Sequence, residues 1–538
     1  MFKSDQLKSF FPRFKQLKRL CSSSSNSSNG EKLRDRLRIT WKLLINKTAC
    51  RRALASTFHP YCRETSIHGL KHLFVPFAEN ELRGKQGKYL KLLSHIIWIT
   101  SVICCAIFCL YLMVISLNNY FEILTTTSIE SINYPISEVP FPAVTFCSIN
   151  KVYKPNTRMI QELAEKEGIN HENYTNFLKS LSKLTTLDLE TDKTILEVEK
   201  KLLGANLTIA ALMETVSQPC NRLLMRCQLR GDVVRCNRIF RLITTYEGFC
   251  CSFNYYALRD HLELNSTGVS NTNMKLEGAG KYVGLTVQIN SSTDAYVSPA
   301  YPFYGTIIII HQSSNYPEFS KSIDLVQPGQ EVRLAVEPTV IESTENVERM
   351  PLSQRICLFP EERETEMSDD YSFSNCLSEC RANIVIKTCG CIPFYYPTFD
   401  ENVSRIPMCQ LKDSPCLHKN RGLFQSIQVS TEEFLRQQAE NGNTTRKNGL
   451  ECDCPPTCSS VTFDVERFTG NITRHATLGN HSIVHVYFSA LTCIKYRRDI
   501  FMTWDTLLTY VWAALPSPFS KQFTFGPTSF TRSSTNNL

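Results

Sequence analysis

Residues 92–117 read LLSHIIWITSVICCAIFCLYLMVISL and contain no Asp, Glu, Lys or Arg. A helix of these 26 residues is about 39 Å long, which exceeds the roughly 30 Å of hydrocarbon in a bilayer. The run is too long, and too far from the N-terminus, for a secretory signal peptide. This stretch therefore predicts a transmembrane helix and makes the chain a membrane protein.

Basic residues lie on one side of this run. Residues 1–91 hold 20 Lys and Arg against 6 Asp and Glu, which is +14 (20 − 6) and leaves −6 (8 − 14) for the rest of the chain. Arg83, Lys85, Lys88 and Lys91 come just before the run. By the positive-inside rule, residues 1–91 form a cytosolic arm and the residues after the run are extracellular. Next to an apolar span, basic residues indicate contact with membrane lipid, and we expect no nucleic-acid partner.

The residues after the run have the composition of an extracellular domain. Sixteen of the 23 cysteines lie between Cys147 and Cys458, and secreted domains use cysteines as covalent cross-links. Acceptor triplets for N-glycosylation occur in the same region, at Asn173, Asn206, Asn265, Asn290, Asn402, Asn443, Asn471 and Asn480. We therefore expect a cysteine-rich, glycosylated extracellular domain over residues 118–500.

Two cysteine clusters have informative spacings. Cys376 and Cys380 are four residues apart, so they would share one face of a helix. Two further pairs are two residues apart, so that on a strand both side chains would point to the same side; these are Cys389 with Cys391 and Cys452 with Cys454. A helix beside such a strand could be joined to it by two bonds, Cys376 to Cys454 and Cys380 to Cys452. Zinc ligation is the alternative, although no histidine accompanies the clusters, and spacing alone leaves the connectivity open.

The remaining pattern of the extracellular region predicts a mixed α+β fold. Branched residues bounded by turn formers predict strands within residues 281–290, 304–314 and 331–343. Spaced leucines and phenylalanines among charges predict surface helices within residues 157–216 and 424–440. No Gly-rich phosphate loop, nucleophile elbow or paired-histidine motif occurs, so we expect neither an enzyme nor a cofactor.

Several motifs occur in order over roughly residues 60–505. They are His68-Gly69, FPAVTFC (Phe141 to Cys147), TYEGFCCSFN (Thr245 to Asn254), YGTIIIIHQSSNYP (Tyr304 to Pro317), VQPGQEVRLAVEPTVIES (Val326 to Ser343), QRICLF (Gln354 to Phe359) and the two cysteine clusters. With them the chain resembles the degenerin, epithelial sodium channel and acid-sensing channel superfamily, most nearly its arthropod pickpocket branch.

The resemblance implies a homotrimeric or heterotrimeric cation channel of the plasma membrane. Such a channel is not voltage-gated, conducts sodium ions and is blocked by amiloride-like compounds, and each subunit contributes two membrane helices and a large ectodomain. The resemblance also implies that His68 and Gly69 lie on a re-entrant cytosolic segment below the pore, where the glycine controls the open probability of the channel.

The resemblance further implies a disulfide connectivity. The implied pairs are Cys147 with Cys250, Cys227 with Cys236, Cys357 with Cys458, Cys376 with Cys454, Cys380 with Cys452, Cys389 with Cys416, and Cys391 with Cys409. Two of these pairs agree with the bonds that helix and strand spacing allows. Parity then suggests that Cys220 pairs with Cys251, and Cys493 is left without an assigned partner.

The resemblance fails within the second membrane segment. Residues 501–515 are mostly apolar, but a helix of 15 residues is about 22 Å long and falls short of about 30 Å. Pro516 and Pro518 end it, and residues 516–538 are polar and lack the Gly-x-Ser filter of the family. We therefore expect a truncated second transmembrane helix followed by a divergent polar tail. The alternative function is then a non-conducting regulatory or dominant-negative subunit, or a single-pass receptor-like ectodomain.

Overall fold

The structure is a computed structural model that describes residues 85–122, 125–186, 192–204, 208–256, 274–318, 323–365, 368, 370–396, 406–426, 428–429, 451–472, 481–503, 506–507 and 509. The chain divides into two compact units, one over residues 1–121 and 503–538 and the other over residues 122–502. The predictions for His68, Gly69 and most of residues 501–538 fall outside the described residues.

Helix α1 (Lys85–Glu122) occupies the whole of the predicted membrane span. Among the described residues, only this helix is long and apolar enough to cross a membrane, through its residues Leu92–Asn118. Large apolar side chains along it are exposed, including those of Ile97, Ile107 and Leu110, as side chains that face lipid would be.

The second unit combines helices with two principal sheets. Its helices are α2 (Arg158–Lys166), α3 (His171–Ser182), α4 (Lys193–Leu203), α5 (Ile209–Val216), α6 (Cys220–Leu223), α7 (Cys236–Ile239), α8 (Glu345–Glu348), α9 (Leu352–Arg355), α10 (Phe373–Cys389) and α11 (Ser414–Gln425). Its strands are β1 (Thr125–Pro135), β2 (Ala143–Ser148), β3 (Leu224–Leu229), β4 (Asp232–Val234), β5 (Phe240–Thr245), β6 (Gly248–Phe253), β7 (Leu285–Asn290), β8 (Thr306–His311), β9 (Ile323–Val326), β10 (Gln330–Ser343), β11 (Gln428–Val429), β12 (Glu451–Cys452), β13 (Ser460–Asn471), β14 (His481–Phe488) and β15 (Thr492–Ile500). Short 3₁₀-helical turns span Ile136–Glu138, Lys154–Thr157, Thr293–Ala295, Pro360–Glu362 and Leu411–Asp413.

The larger sheet has the strand order β1-β15-β10-β14-β7-β3-β4, with β13 paired to β10. Strand β10 is antiparallel to β13 along its length and parallel first to β14 and then to β15. Its alternate residues Val332, Leu334 and Val336 are buried, which is the two-residue period of a strand with one face on a core. This long strand therefore connects the middle of the sheet to β15 and, through β15, to β1.

The smaller sheet, β5-β6-β2-β8-β9, shares a hydrophobic core with the larger one. Phe141 lies in this core, with its ring 6.1 Å from that of Phe253 and 5.3 Å from that of Phe488, both edge-to-face. A second core lies under helices α2 to α5 and includes Phe177 and Leu212.

The α+β prediction agrees with this architecture, including the strands β7, β8 and β10 and the helices within residues 157–216. The predicted helix within residues 424–440 is wrong at its start, because α11 ends at Gln425 and residues 428–429 form β11. The cause is a long-range pairing, since Val429 lies opposite Cys452 of β12 and sheet pairing overrides local spacing. Residues 430–440 lie outside the described part of the chain.

Candidate functional site

Disulfide bonds hold the second unit together. The described residues contain eight, which are Cys147–Cys250, Cys220–Cys251, Cys227–Cys236, Cys357–Cys458, Cys376–Cys454, Cys380–Cys452, Cys389–Cys416 and Cys391–Cys409. These are the seven pairs that the resemblance implies, together with the pair suggested by parity. Cys493 is a free thiol on β15, where burial raises its pKa.

Helix α10 carries the two cysteines that are four residues apart. The Ser372 side chain caps the helix by accepting a hydrogen bond from the Asn375 backbone N–H at 3.0 Å. Cys376 and Cys380 bond to Cys454 and Cys452, with Cα separations of 5.7 and 5.9 Å. Because these sulfurs are oxidised, they are not zinc ligands.

The expectation of a strand across Cys389 and Cys391 is wrong. Cys389 is the last residue of α10, and Gly390 follows it in the left-handed conformation at φ 71°. Glycine adopts this conformation without steric cost and commonly ends helices, a signal that the Cys-Gly-Cys order contains. The turn separates the two sulfurs, so one bonds to Cys416 on α11 and the other to Cys409.

Helix α10 is joined by hydrogen bonds to residues 312–318, the segment that follows β8. The Asn375 side chain donates to the Ser314 carbonyl at 2.9 Å and accepts from the Tyr316 backbone N–H at 2.7 Å. The Tyr316 hydroxyl donates to the Tyr395 carbonyl at 2.6 Å. The side-chain amide of Asn375 thus pairs with backbone hydrogen-bonding groups of the segment that follows β8.

An ion pair lies beside these hydrogen bonds. Arg381 contacts Glu318, and Glu318 also accepts hydrogen bonds from Ser378 and, at 3.2 Å, from Tyr396. Only 14% of the Arg381 side chain and 8% of the Glu318 side chain are exposed. Burial opposes the charge of Arg381, but the Glu318 carboxylate raises the pKa of Arg381 on balance, so the guanidinium is charged. We refer to Glu318, Asn375 and Arg381 as the α10 junction.

His311 ends strand β8 immediately before this segment. Its Nδ1 lies 2.9 Å from the Gln312 carbonyl and its Nε2 2.9 Å from the Thr145 hydroxyl. Burial lowers the pKa of His311 to about 4. The ring is therefore neutral at physiological pH, and the contacts indicate that Nδ1–H donates to the carbonyl while Thr145 donates to Nε2.

Two adjoining grooves open beside the α10 junction. One of about 390 Å³ is lined by His311, Asn315, Leu377, Arg381 and Phe463, among others. The other, of about 450 Å³, is lined by Asp324, Glu337, Asp464 and Glu466 together with apolar residues. Ile310 and Asp464 line both grooves. Concave surfaces of this size suit small ligands, and the acidic wall favours cations.

Strand β1 follows α1 in sequence and β15 precedes residues 501–515, for which the sequence predicts the second membrane segment; we call these two strands the membrane-linked strands. β1 begins three residues after α1 ends, and β15 ends at Ile500, immediately before residues 501–515. They are antiparallel, from Thr125 opposite Ile500 to Pro135 opposite Thr492. The covalent connections between the two units therefore lie just beyond the start of β1 and the end of β15.

Three of the candidate glycosylation sites are described. Asn471 is exposed at the end of β13, and Asn173 is half-buried in the first turn of α3. Asn290 is half-buried at the end of β7, where its Oδ1 accepts a hydrogen bond from the Ser292 backbone N–H at 3.0 Å. The other five, Asn206, Asn265, Asn402, Asn443 and Asn480, lie outside the described residues.

The α10 junction was missed by sequence reasoning. Asn375 and Arg381 directly flank the Cys376 to Cys380 spacing, so their positions in the cluster are the signal that could have identified them. Glu318 carries no comparable signal, because only the fold brings it to α10.

Comparison with known proteins supports this description. Residues 61–511 match the family described as "Amiloride-sensitive sodium channel". The chain is 25% identical over 488 residues to "Sodium channel protein Nach" of Drosophila melanogaster, covering 86% of this chain and 84% of that protein. It is 24% identical over 456 residues to "Pickpocket protein 28" of Drosophila melanogaster, covering 79% and 67%. It is 25% identical over 357 residues to the "Bile acid-sensitive ion channel" of Homo sapiens, covering 63% and 60%. The chain therefore belongs to the amiloride-sensitive sodium channel family, in which it is a pickpocket-type member.

Proposed function

We propose that the chain is a subunit of a trimeric, amiloride-sensitive sodium channel of the plasma membrane that is not voltage-gated. The observation that carries the proposal is the family match over residues 61–511, which spans α1 and the whole disulfide-linked unit. The permeant species is the sodium ion, residues 1–91 are cytosolic, and residues 118–500 are extracellular. The partners are two further subunits, either copies of this chain or related subunits, and the surrounding lipid.

Current recording on the full chain tests this function. The chain is expressed alone and together with a related pickpocket subunit, and currents are recorded with sodium and then with the impermeant cation N-methyl-D-glucamine outside. We expect an inward sodium current that amiloride blocks, and cross-linking at the cell surface should yield a complex of three subunits. A chain that reaches the surface in such complexes but adds no current would contradict conduction.

The proposal assigns His68-Gly69 to gating. A re-entrant backbone at membrane depth is possible only where protein or water lines it. A side chain at position 69 would restrict the backbone conformations that glycine allows there. We expect Gly69→Ser to lower the current while surface protein, measured by biotinylation, stays unchanged. Gly30→Ser, in the Ser- and Asn-rich stretch of residues 21–30, is the matched control and should leave the current unchanged. Normal current in the Gly69 variant would contradict the gating role.

The composition of residues 501–515 favours a second candidate function. Fifteen residues make a helix of about 22 Å, shorter than the bilayer core, and Pro516 follows. The chain would then be a regulatory subunit that assembles with complete subunits without conducting. Co-expression with a complete relative should reduce its current in proportion to the amount of this chain, and the two should co-purify. Amiloride-sensitive current from the chain alone would contradict this candidate.

A further inference from the structure

One lysine side chain joins three strands at the membrane-linked end of the larger sheet. Lys495 lies on β15, opposite Ser131 of β1 on one side and Val340 of β10 on the other. Its Nζ is 3.3 Å from Glu130 Oε2 and also pairs with Glu342. The same nitrogen lies 4.9 Å from the centre of a tyrosine ring on β1. We call the four residues Glu130, Tyr134, Glu342 and Lys495 the lysine clasp.

The strand registers explain this arrangement. Ile129 lies opposite Tyr496 and Ser131 opposite Lys495, so Glu130 is an extra residue in β1, a β-bulge. A bulge redirects a side chain that would otherwise follow the strand alternation, which brings Glu130 to Lys495. On β10, Glu342 is two residues beyond Val340 and therefore on the same side of the strand.

The clasp lies beside a strand that is open to solvent, β1. Along β1 every residue is at least partly exposed, and Ile129 and Ile132 are 58% and 64% exposed. None of the eight disulfide bonds in the described residues involves β1, β10 or β15. Without the lysine, the carboxylates of Glu130 and Glu342 would face each other across β15 and repel.

We propose that the lysine clasp restrains the membrane-linked strands and thereby regulates gating. With the clasp intact, β1 and β15 are held to β10. When it is broken, the strands that lead to the membrane segments move more easily, and the channel opens more often without a stimulus. This regulation rests on the proposed channel function, but the restraint itself does not.

The first measurement does not depend on conduction. Hydrogen–deuterium exchange is followed in the purified full chain, comparing Lys495→Met with the parent. We expect exchange of the β1 amides to be roughly two- to fivefold faster, the range expected for loss of a partly exposed ion pair, while β7 is unchanged. Lys495→Arg keeps the charge and should retain parent exchange. Arg349→Gln, which breaks the exposed pair between Glu345 of α8 and Arg349 just after it, is the matched control and should leave β1 unchanged.

The second measurement is the amiloride-sensitive current without stimulus, in the complex that conducts. We expect Lys495→Met to raise this current at least threefold at equal surface protein, and Lys495→Arg to leave it unchanged. Unchanged exchange in β1 would overturn the clasp. Faster exchange with an unchanged resting current in a conducting complex would overturn the regulatory role. If the parent chain gives no current in any complex, the proposed channel function is contradicted. The exchange measurement would still show whether the clasp restrains β1.

Discussion

The α10 junction and the lysine clasp are both built on one cation and its carboxylates, yet their surroundings differ. At the α10 junction, Arg381 and Glu318 are buried to 14% and 8% exposure, and two disulfide bonds join the same helix to Cys452 and Cys454. At the lysine clasp, Glu130 and Glu342 are 39% and 59% exposed. We therefore expect residues 122–502 to be more rigid where α10 meets the sheets than at the membrane-linked strands.

The difference has an energetic consequence. Breaking a buried ion pair by removing one partner typically costs about 3 to 5 kcal/mol, because a charge is left buried without compensation. An exposed pair contributes about 0 to 1 kcal/mol. Substitutions at the α10 junction should therefore affect folding, whereas substitutions at the clasp should affect the equilibrium between conformations of a folded protein.

Removal of both disulfide bonds of α10 should have the largest effect. The bonds Cys376–Cys454 and Cys380–Cys452 close nearly the same loop, of 78 and 72 residues. The bond Cys357–Cys458 encloses this loop, so in the double variant Cys376 and Cys454 are still connected through that bond by about 23 residues, (376 − 357) + (458 − 454). Loop-closure entropy for a loop of this length predicts a loss of at least about 3.5 kcal/mol when both α10 bonds are replaced by serine pairs. Loss of one bond should cost much less, since the other still closes the loop. Thermal unfolding of the single and double variants, followed by circular dichroism, measures this. If the losses of the two single variants were equal and added up to the loss of the double variant, the two bonds would not be closing the same loop.

Removal of the Arg381 charge should have the next largest effect. Arg381→Met leaves Glu318 buried among hydroxyl donors without its cation, and we expect the free energy of unfolding to fall by about 3 kcal/mol. The double variant Glu318→Gln, Arg381→Met removes both charges and should recover part of this loss. Chemical denaturation of the three variants measures the coupling. If the double variant were as unstable as the sum of the single ones, the pair would not be coupled.

His311 should make the junction region sensitive to acid. Its pKa of about 4 in the folded protein lies below the ordinary value of 6.5, so between these values the unfolded chain binds a proton that the folded chain does not. Stability is therefore retained above pH 6.5 and falls as the pH decreases toward 4. Between pH 7 and pH 5 the loss from this residue should be about 2 kcal/mol.

The variant His311→Asn measures this contribution. It should reduce the loss of stability between pH 7 and pH 5 relative to the parent chain, because no group at this position then takes up a proton. His171→Asn, at an exposed position on α3, is the matched control and should keep the parent pH dependence. An unchanged pH dependence in His311→Asn would show that the histidine is not the acid-sensitive group.

The two regions also differ in how far the sequence predicts them. The cysteine spacing on α10 is local, because residues four apart share one face of a helix, and so this part of the framework could be derived from the residues. The pairing of Arg381 with Glu318 could not, because it depends on a segment 63 residues earlier (381 − 318) being folded against α10. The bulge at Glu130 could not be predicted from the sequence either, since a bulge is defined by the register between β1 and β15.

Neutralisation of Lys495 should have the smallest effect on stability. Lys495 is 15% exposed, but both of its carboxylate partners are more than one third exposed, so screening weakens the attraction that Lys495→Met removes. We expect the free energy of unfolding to fall by less than about 1 kcal/mol, and the loss to shrink further at high salt. Chemical denaturation of Lys495→Met and of Arg381→Met, each at low and at high ionic strength, measures the loss and its dependence on salt. A loss as large as that of the Arg381 variant, and insensitive to salt, would mean that the clasp is part of the rigid body of the protein. A small, salt-sensitive loss together with faster β1 exchange would instead show that the membrane-linked strands are the adjustable part of residues 122–502.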